Sequence, residues 1–433
     1  MRQAKRRGAA VIVGLALVPF ALPRSAIGCS LHWALGLPEP VGVWPAELAT
    51  SPTAPAQNST VQTDTAAAAS AAIAEINAAD SVNDAAVTSW LQNPNNTKGF
   101  STNSVVNSVV NKVNADVQTV AYTSTNVYVK ATGIPSHTLG SYGSDPAIPT
   151  NVNRTVDIPR NPVVNNGTKT NTGLGAIGVA VNGAVFYNAA DAMSYNNANV
   201  WHQNANVFEA STFDGGPGHP SPINGQTVTT STGTAPAGNY HYHQAPTALI
   251  NEIDPGNSGQ HASPVIGFAF DGFPIFGPYG YANADGTGGI TLMSTSYQKR
   301  NITTRTTLPN GTTASSAGPD VSATYPLGSY LEDYSYVAGS GTLDQYNGRF
   351  AVAPGYPSGT YGYYVTETAG GLPTYPYVVG PQYYGVVQSD DLAGGTITVP
   401  ANAVVYTPAV PEPSLLGLAA CAIPTLLKRR SRG

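Results

Sequence analysis

GVAVNGAVFY, from Gly178 to Tyr187, is two short apolar runs around Asn182-Gly183. GFAFDGFPIF, from Gly267 to Phe276, is the same object around Asp271-Gly272. Asn-Gly and Asp-Gly tolerate the positive φ angles of a two-residue hairpin turn, so both segments read as tight β-hairpins. That reading also assigns Asp271, which looks like a catalytic acid, to turn chemistry.

The two hairpins begin a longer correspondence. Asn182 matches Asp271 at an offset of 89 residues, Phe213-Asp214 matches Leu343-Asp344 at 130, and Tyr240 matches Tyr361 at 121. The order is the same in both halves, which indicates one ancient repeat. Growth of the offset from 89 to 130 places about 41 extra residues in the second copy, in the polar stretch between Phe276 and Leu343. Two copies do not make a solenoid. They predict two related β units sharing one core, in a sandwich- or barrel-like all-β domain preceded by a short Ala-rich helical region.

Within the repeat, PAGNYHYH (Pro236 to His243) corresponds to PSGTYGYY (Pro357 to Tyr364). Tyr240 and Tyr242 fall on Tyr361 and Tyr363, whereas His241 and His243 fall on Gly362 and Tyr364. Side chains on a strand alternate between its faces, so the tyrosines share one face and the histidines the other. One face is kept between the copies and the other has changed.

Five of the seven histidines lie between Trp201 and His261, with Glu209 and Asp214 nearby. A His-x-His pair on a strand offers two imidazoles from one face, and a third ligand from a loop completes a set with an open position. His219, in DGGPGHP, is the best third candidate because glycines let a loop approach closely. Its counterpart is Arg349, so all three candidate ligands vanish from the second copy together. The metal set read here is His219, His241 and His243, with Asp214, Glu209 and His202 as candidates for the surrounding shell. Asp214 persists as Asp344, which suggests a turn or hydrogen-bonding role more than a ligand. For His202 and His261 a structural or surface reading leads, and His137 lies far away in sequence. The cofactor class is a divalent transition metal; imidazole suits zinc, copper and iron alike. Metal-free pockets and purely structural histidines are the competing explanations.

Composition supports the fold class. Charged residues are only 10%, while Gly (46), Pro (35) and Tyr (24) are plentiful, which suits short strands and turns better than long helices. DVQTVAYTSTNVYVKA, from Asp116, alternates and reads as a strand or strand pair. Thr65 to Trp90 reads as one or two small helices, and Asn93 to Asn114 as either a linker or a sheet edge. Thirteen of the tyrosines lie between Tyr325 and Tyr384, where strand packing is a better account than a sugar-stacking surface. Gly256-Asn257-Ser258-Gly259 is similar to a serine-protease nucleophile loop over four residues only, too few to carry an assignment.

The ends read as processing signals. Met1 to Arg7 is basic, Ala9 to Leu22 is apolar, and small residues precede Cys29, as in a secretory signal peptide; Ala26 to Cys29 also passes as a loose lipobox. Val410-Pro411-Glu412-Pro413-Ser414, the apolar run Leu415 to Leu427 and Lys428-Arg429-Arg430 resemble a PEP-CTERM sorting signal. That run is shorter than the ~20 residues that span a bilayer. With both tags set aside, Gly8 to Pro411 carries 11 basic against 23 acidic residues, which argues against a nucleic-acid partner. Cys29 and Cys421 both sit in the tags, leaving no thiol for a disulfide or a nucleophile.

The stretches GIPSHTLG, GVAVNGAVFY, GHP, GNYHYHQAP, SPVIGFAFDGFPIFGPYGYA, LDQYNGRF, YPSGTYGYYVT and YPYVVGPQYYG, between Gly133 and Gly385, resemble the YHYH-domain proteins. The resemblance implies an exported bacterial domain without an established activity. Members often carry cysteines near the Gly-His-Pro segment and after the tetrapeptide; here Gly215-Gly216 and Thr247-Ala248 stand there, so such a disulfide is lost. The expected organisation is a signal peptide (1–28), a low-complexity region (29–115), a YHYH-like all-β domain (116–400, copies about 174–247 and 264–385) and a sorting segment (409–433). The expected protein is exported to the cell envelope, surface or extracellular matrix, touching the membrane through its terminal segments before processing. Two functions compete: a His-ligated metal site, with a metal-dependent enzyme within its reach, and a non-enzymatic module binding polysaccharide or protein.

Overall fold

The computed structural model describes residues 84–95, 101–102, 115–230, 233–388, 391 and 396–408. Both terminal signals, both cysteines, the expected helices before residue 84 and most of Asn93 to Asn114 lie outside the described residues. Among the described residues, strands dominate and no helix exceeds the seven residues of Thr247–Ile253. The helix Ala85–Thr88 is a single turn capped by the Asp84 side chain.

A nine-stranded sheet carries the repeat. Its first half contains Ala176–Ala180, Val185–Tyr187, Gly218–Thr230 and Gly233–Tyr242. Its second half contains Val265–Ala269, Pro274–Phe276, Gly348–Ala353 and Tyr356–Tyr364. In space the order runs 218–230, 233–242, 185–187, 176–180, then 265–269, 274–276, 356–364, 348–353. The second half is thus the first in mirror order. The seam is antiparallel, with Gly267 opposite Ala180, Phe268 opposite Val179 and Ala269 opposite Gly178. Because 178 and 180 correspond to 267 and 269, this is a local two-fold axis relating the copies. The ninth strand, Ile148–Pro149, pairs alongside Gly233–Tyr242.

Register is conserved along with order. Tyr242 lies opposite Phe186 in one copy as Tyr363 lies opposite Ile275 in the other, both in parallel pairs. Likewise Gly218 faces Tyr242 as Gly348 faces Tyr363. The tyrosine–aspartate contact is repeated too. The Tyr240 hydroxyl reaches the Asp214 carboxylate at 3.0 Å, and the Tyr361 hydroxyl reaches Asp344 at 3.0 Å. Each aspartate also accepts the backbone N–H of the first residue of the following strand, Gly218 or Gly348. Asp214 is therefore a fold residue, which accounts for its persistence as Asp344.

The hairpin turns differ from the two-residue loops expected. Ala180 N–H bonds the Ala184 carbonyl at 2.7 Å, and Gly183 N–H bonds Ala180 at 2.8 Å. Ala269, Phe273 and Gly272 repeat this pattern. These are three-residue loops in which only the glycine, Gly183 (φ 82) or Gly272 (φ 86), takes a positive φ. Asn182 and Asp271 keep ordinary dihedrals and use their side chains instead: Asn182 Nδ2 donates to the Tyr242 hydroxyl at 3.0 Å, and the Tyr363 hydroxyl donates to Asp271 Oδ2 at 2.5 Å.

Burial pushes the Asp271 carboxyl up to about 6, against the opposing pull of its Tyr363 and backbone donors. Its folded value thus exceeds the ordinary 3.8, so its share of stability is full below about pH 4 and is lost as pH rises through about 6. At 1.36 kcal/mol per unit this is about 3 kcal/mol. Urea unfolding of wild type and Asp271→Asn at pH 4.5 and 7.5, an interval that spans about 2 kcal/mol of this, is expected to show that extra loss in wild type alone. The variant is tolerable because Asn182 already fills this place in the other copy. Equal pH slopes in the two proteins would refute the assignment.

A second, four-stranded sheet combines Val404–Val405, Val117–Tyr122, Asn126–Ala131 and Arg154–Pro159. The Asp116 stretch is thus a strand pair, turned at residues 123–125. One buried cluster joins Val120, Val127 and Val129 of this sheet to Val179, Tyr242 and Phe268 of the larger one. Layered sheets of this kind fit the sandwich expectation. The barrel alternative fails: the outer strands 218–230 and 348–353 have no further strand partner among the described residues. The extra residues of the second copy pack back on the first, where Tyr330 joins Val200 and Trp201 in a separate buried cluster. Arg305 anchors that lobe through a buried pair with Asp333, Nε to Oδ1 at 2.7 Å and Nη2 to Oδ2 at 2.8 Å.

Candidate metal centre

Strand pairing places His219 directly opposite His241. His243 follows one residue past the end of the Gly233–Tyr242 strand, on the same face as His241. All three are at least 98% buried, and one nitrogen from each lies within 4.8 Å of the other two. Tyr187 stacks on His241 with ring centroids 3.9 Å apart, while Phe213 stacks on His243 and meets His219 edge-on. These aromatics fix the ring planes. They also remove water from the ligand face.

Hydrogen bonding fixes which nitrogens are available. His241 Nδ1 lies 3.1 Å from the Asn239 carbonyl, and His243 Nδ1 lies 2.6 Å from the Asn188 carbonyl. Carbonyls only accept, so both Nδ1 atoms carry the proton. His219 Nδ1 sits 2.8 Å from the Thr212 hydroxyl, which donates its own hydrogen to the Glu209 carbonyl at 2.7 Å. Thr212 must therefore accept from His219, and Nδ1 is again the protonated atom. Three Nε2 lone pairs are left facing inward. Those of His241 and His243 are 3.1 Å apart, and among the described residues nothing hydrogen-bonds to the buried Nε2 of His219. Converging, unprotonated lone pairs repel unless a cation sits between them.

Burial favours the neutral form of two of the rings. Burial lowers the His219 imidazole to about 4, and burial followed by the neighbouring histidines holds His241 well below its usual range. Carboxylates surround the set. Glu209 Oε2 is 3.3 Å from His243 Nε2 and 3.7 Å from His219 Nε2, and Asp145 Oδ2 is 3.8 Å from His219 Nδ1. Burial, then the Glu209 charge, raises Asp191 well above the carboxylate range, and burial pushes Asp145 up to about 7.

The other candidates separate cleanly. Asp214 belongs to the tyrosine face, accepting from Tyr240 and from the N–H groups of Gly216, Gly218 and Gly140. His202 pairs through Nδ1 with Glu332 Oε1 at 2.5 Å, tying the first copy to the inserted lobe. His261 is largely exposed and near Asp254. His137 receives the Tyr242 hydroxyl at Nε2, 2.8 Å away, also on the tyrosine face. Glu209 is closer to the histidines than an outer-shell role requires. Its sequence signal was present: at the 130-residue offset it falls on Gly339, so it disappears from the second copy just as the histidines do. Asp191 likewise falls on Gly280 at the 89-residue offset, whereas Asp145, outside the repeat, had no such signal.

The second copy shows what replaces the site. A Cβ on Gly362, the counterpart of His241, would run into the ring of Phe276, the counterpart of Tyr187. Phe276 stacks on Tyr364, the counterpart of His243, at 5.3 Å. Arg349 turns toward Met293 Sδ at 3.7 Å. The Phe276 ring thus packs over the backbone of Gly362 and against Tyr364, the counterparts of His241 and His243.

The family model described as YHYH protein matches residues 155–376, just over half of the chain, and covers both copies of the strand unit up to Pro376. Neither the curated proteins nor the solved structures contain a match to this chain.

Proposed function

The chain belongs to the YHYH protein family, and from that premise we propose that it is an exported bacterial protein whose repeat holds a divalent transition-metal ion on His219, His241 and His243. The observation that carries the metal reading is the set of three buried Nε2 atoms, each with its Nδ1 partner accounted for. Such fixed tautomers are what metal-bound histidines require. Export is supported by the basic, apolar and small-residue order at the N-terminus and by the Pro-Glu-Pro, apolar and basic order at the C-terminus. The metals that suit three imidazoles are zinc, copper and iron.

Holding a metal is what this geometry supports. The polysaccharide-binding alternative draws little from the tyrosines: Tyr330, Tyr361, Tyr363, Tyr375, Tyr377 and Tyr383 are all buried. Elemental analysis of the purified protein is expected to give about one equivalent of a transition metal, removable by chelation and restorable on readdition. A protein that holds no metal after reconstitution would overturn the proposal.

A further inference from the structure

We propose that Glu209 is the fourth protein ligand of this site, completing a closed tetrahedral set of three histidine nitrogens and one carboxylate oxygen around a structural, zinc-class ion. This rests on the three-histidine reading and goes beyond it by naming the last ligand and the kind of centre it makes. The argument is geometric. Bonds of about 2.0–2.2 Å to a tetrahedral ion place neighbouring ligand atoms about 3.3–3.6 Å apart, whereas right-angle coordination places them about 2.8–3.1 Å apart. The observed separations are 3.1 Å between the Nε2 atoms of His241 and His243, 3.3 Å from His243 Nε2 to Glu209 Oε2, and 3.7 Å from His219 Nε2 to Glu209 Oε2. The two that involve Glu209 lie near the tetrahedral edge and exceed the right-angle one, while the His241–His243 separation falls at the upper limit of the right-angle range.

Position supports the assignment. Glu209 sits where the helix Ala205–Phe208 passes into the 3-10 turn Ala210–Thr212, its backbone N–H bonded to Ala205 and its carbonyl to Thr212. Thr212 is the residue that orients His219, so one turn sets both the carboxylate and an imidazole. The carboxylate-bearing residue is 95% buried, as deep as a ligand with no bound water would be. Four protein ligands leave no position for substrate, which marks structural rather than catalytic zinc. The ion then fastens the 205–212 segment to the outer strand pair of the sheet. The second copy, which has Gly339, Arg349, Gly362 and Tyr364 at these four places, needs no ion because Phe276 fills the gap.

Cobalt(II) reconstitution of the full protein tests this, with Glu209→Gln, Glu209→Ala and His241→Ala alongside. Wild type is expected to show the intense visible bands of a four-coordinate ion, unaltered by added azide. The Glu209 variants should still bind cobalt, with weaker, shifted bands that respond to azide. Their zinc affinity, read against a chromophoric chelator, should fall by at least about 100-fold, the upper end for loss of an outer partner. Matching far-UV spectra of the metal-free proteins would show that the variants fold. Glu209 variants with wild-type bands and affinity, or a wild-type spectrum that shifts with azide, would overturn the closed set while leaving the histidines in place. Failure of wild type to bind cobalt or zinc at all would overturn both readings.

Discussion

Replacing His241 and His243 together by alanine is expected to abolish the thermal response of this protein to zinc while leaving it folded. In wild type, an ion bound only by the native state adds stability as RT ln(1 + [L]/Kd), about 2.7 kcal/mol at a hundredfold excess over Kd. The variant has lost two of the three imidazoles and should gain nothing. Its metal-free form should also be weaker than metal-free wild type by about 1–3 kcal/mol. Two rings that pack on Tyr187 and Phe213 are gone. The fold should nonetheless survive, since Tyr240 and Tyr242 point to the other face and keep Asp214 and Asn182 as partners. The decisive measurement is therefore the difference in melting temperature with and without zinc, in each protein. A variant that still gains several degrees would place the ion elsewhere.

The two faces of one strand explain why so much of this molecule could be read from its residues. Matched pairs at offsets of 89, 121 and 130 fall at equivalent places in the sheet, its hairpin turns and the loops that lead into it, because strand register cannot slip by one without turning every side chain to the wrong face. The same constraint made the histidines legible as a set, for they alternate with the retained tyrosines. Other features carry no such period. The hairpins were expected as two-residue loops, but Asn-Gly and Asp-Gly also suit a three-residue loop whose glycine alone is left-handed, and only the closing hydrogen bonds distinguish them. The edge strand Val404–Val405 is two residues long and leaves no pattern. Asp145 approaches His219 from a segment outside the repeat, so comparing the copies could not reveal it.

Divergence between the copies also has a physical direction. In the first, three buried histidines gather one nitrogen each into a single cluster. In the second, an aromatic ring fills the equivalent volume, and the Asp344–Tyr361 and Asp271–Tyr363 contacts remain. Tyrosine anchoring is thus independent of the histidine set. A domain built this way can keep or lack the three histidines in one half without rebuilding the sheet.

The seam between the copies should be far less forgiving than either site. Gly178 and Gly267 are two-fold counterparts in the central strands. A Cβ on Gly267 would lie 2.5 Å from the Val179 carbonyl oxygen and 2.7 Å from the Phe186 ring; on Gly178 it would lie 2.6 Å from the Phe268 carbonyl oxygen. Neither backbone oxygen can rotate away, so the substituted strand must separate from its partner, loosening a ladder in which Val265–Ala269 is buried throughout. Gly267→Ala is expected to cost at least about 3 kcal/mol, and Gly267→Val to prevent folding, against a typical total of about 5–15 kcal/mol. Gly215→Ala is the matched control: nothing lies within 4 Å of its added Cβ and its φ is not positive, so its effect should stay within about 0.5 kcal/mol. Urea unfolding of the metal-free proteins isolates the seam from the ion. Equal midpoints for Gly267→Ala and Gly215→Ala would mean that the two copies are not held together by this backbone contact.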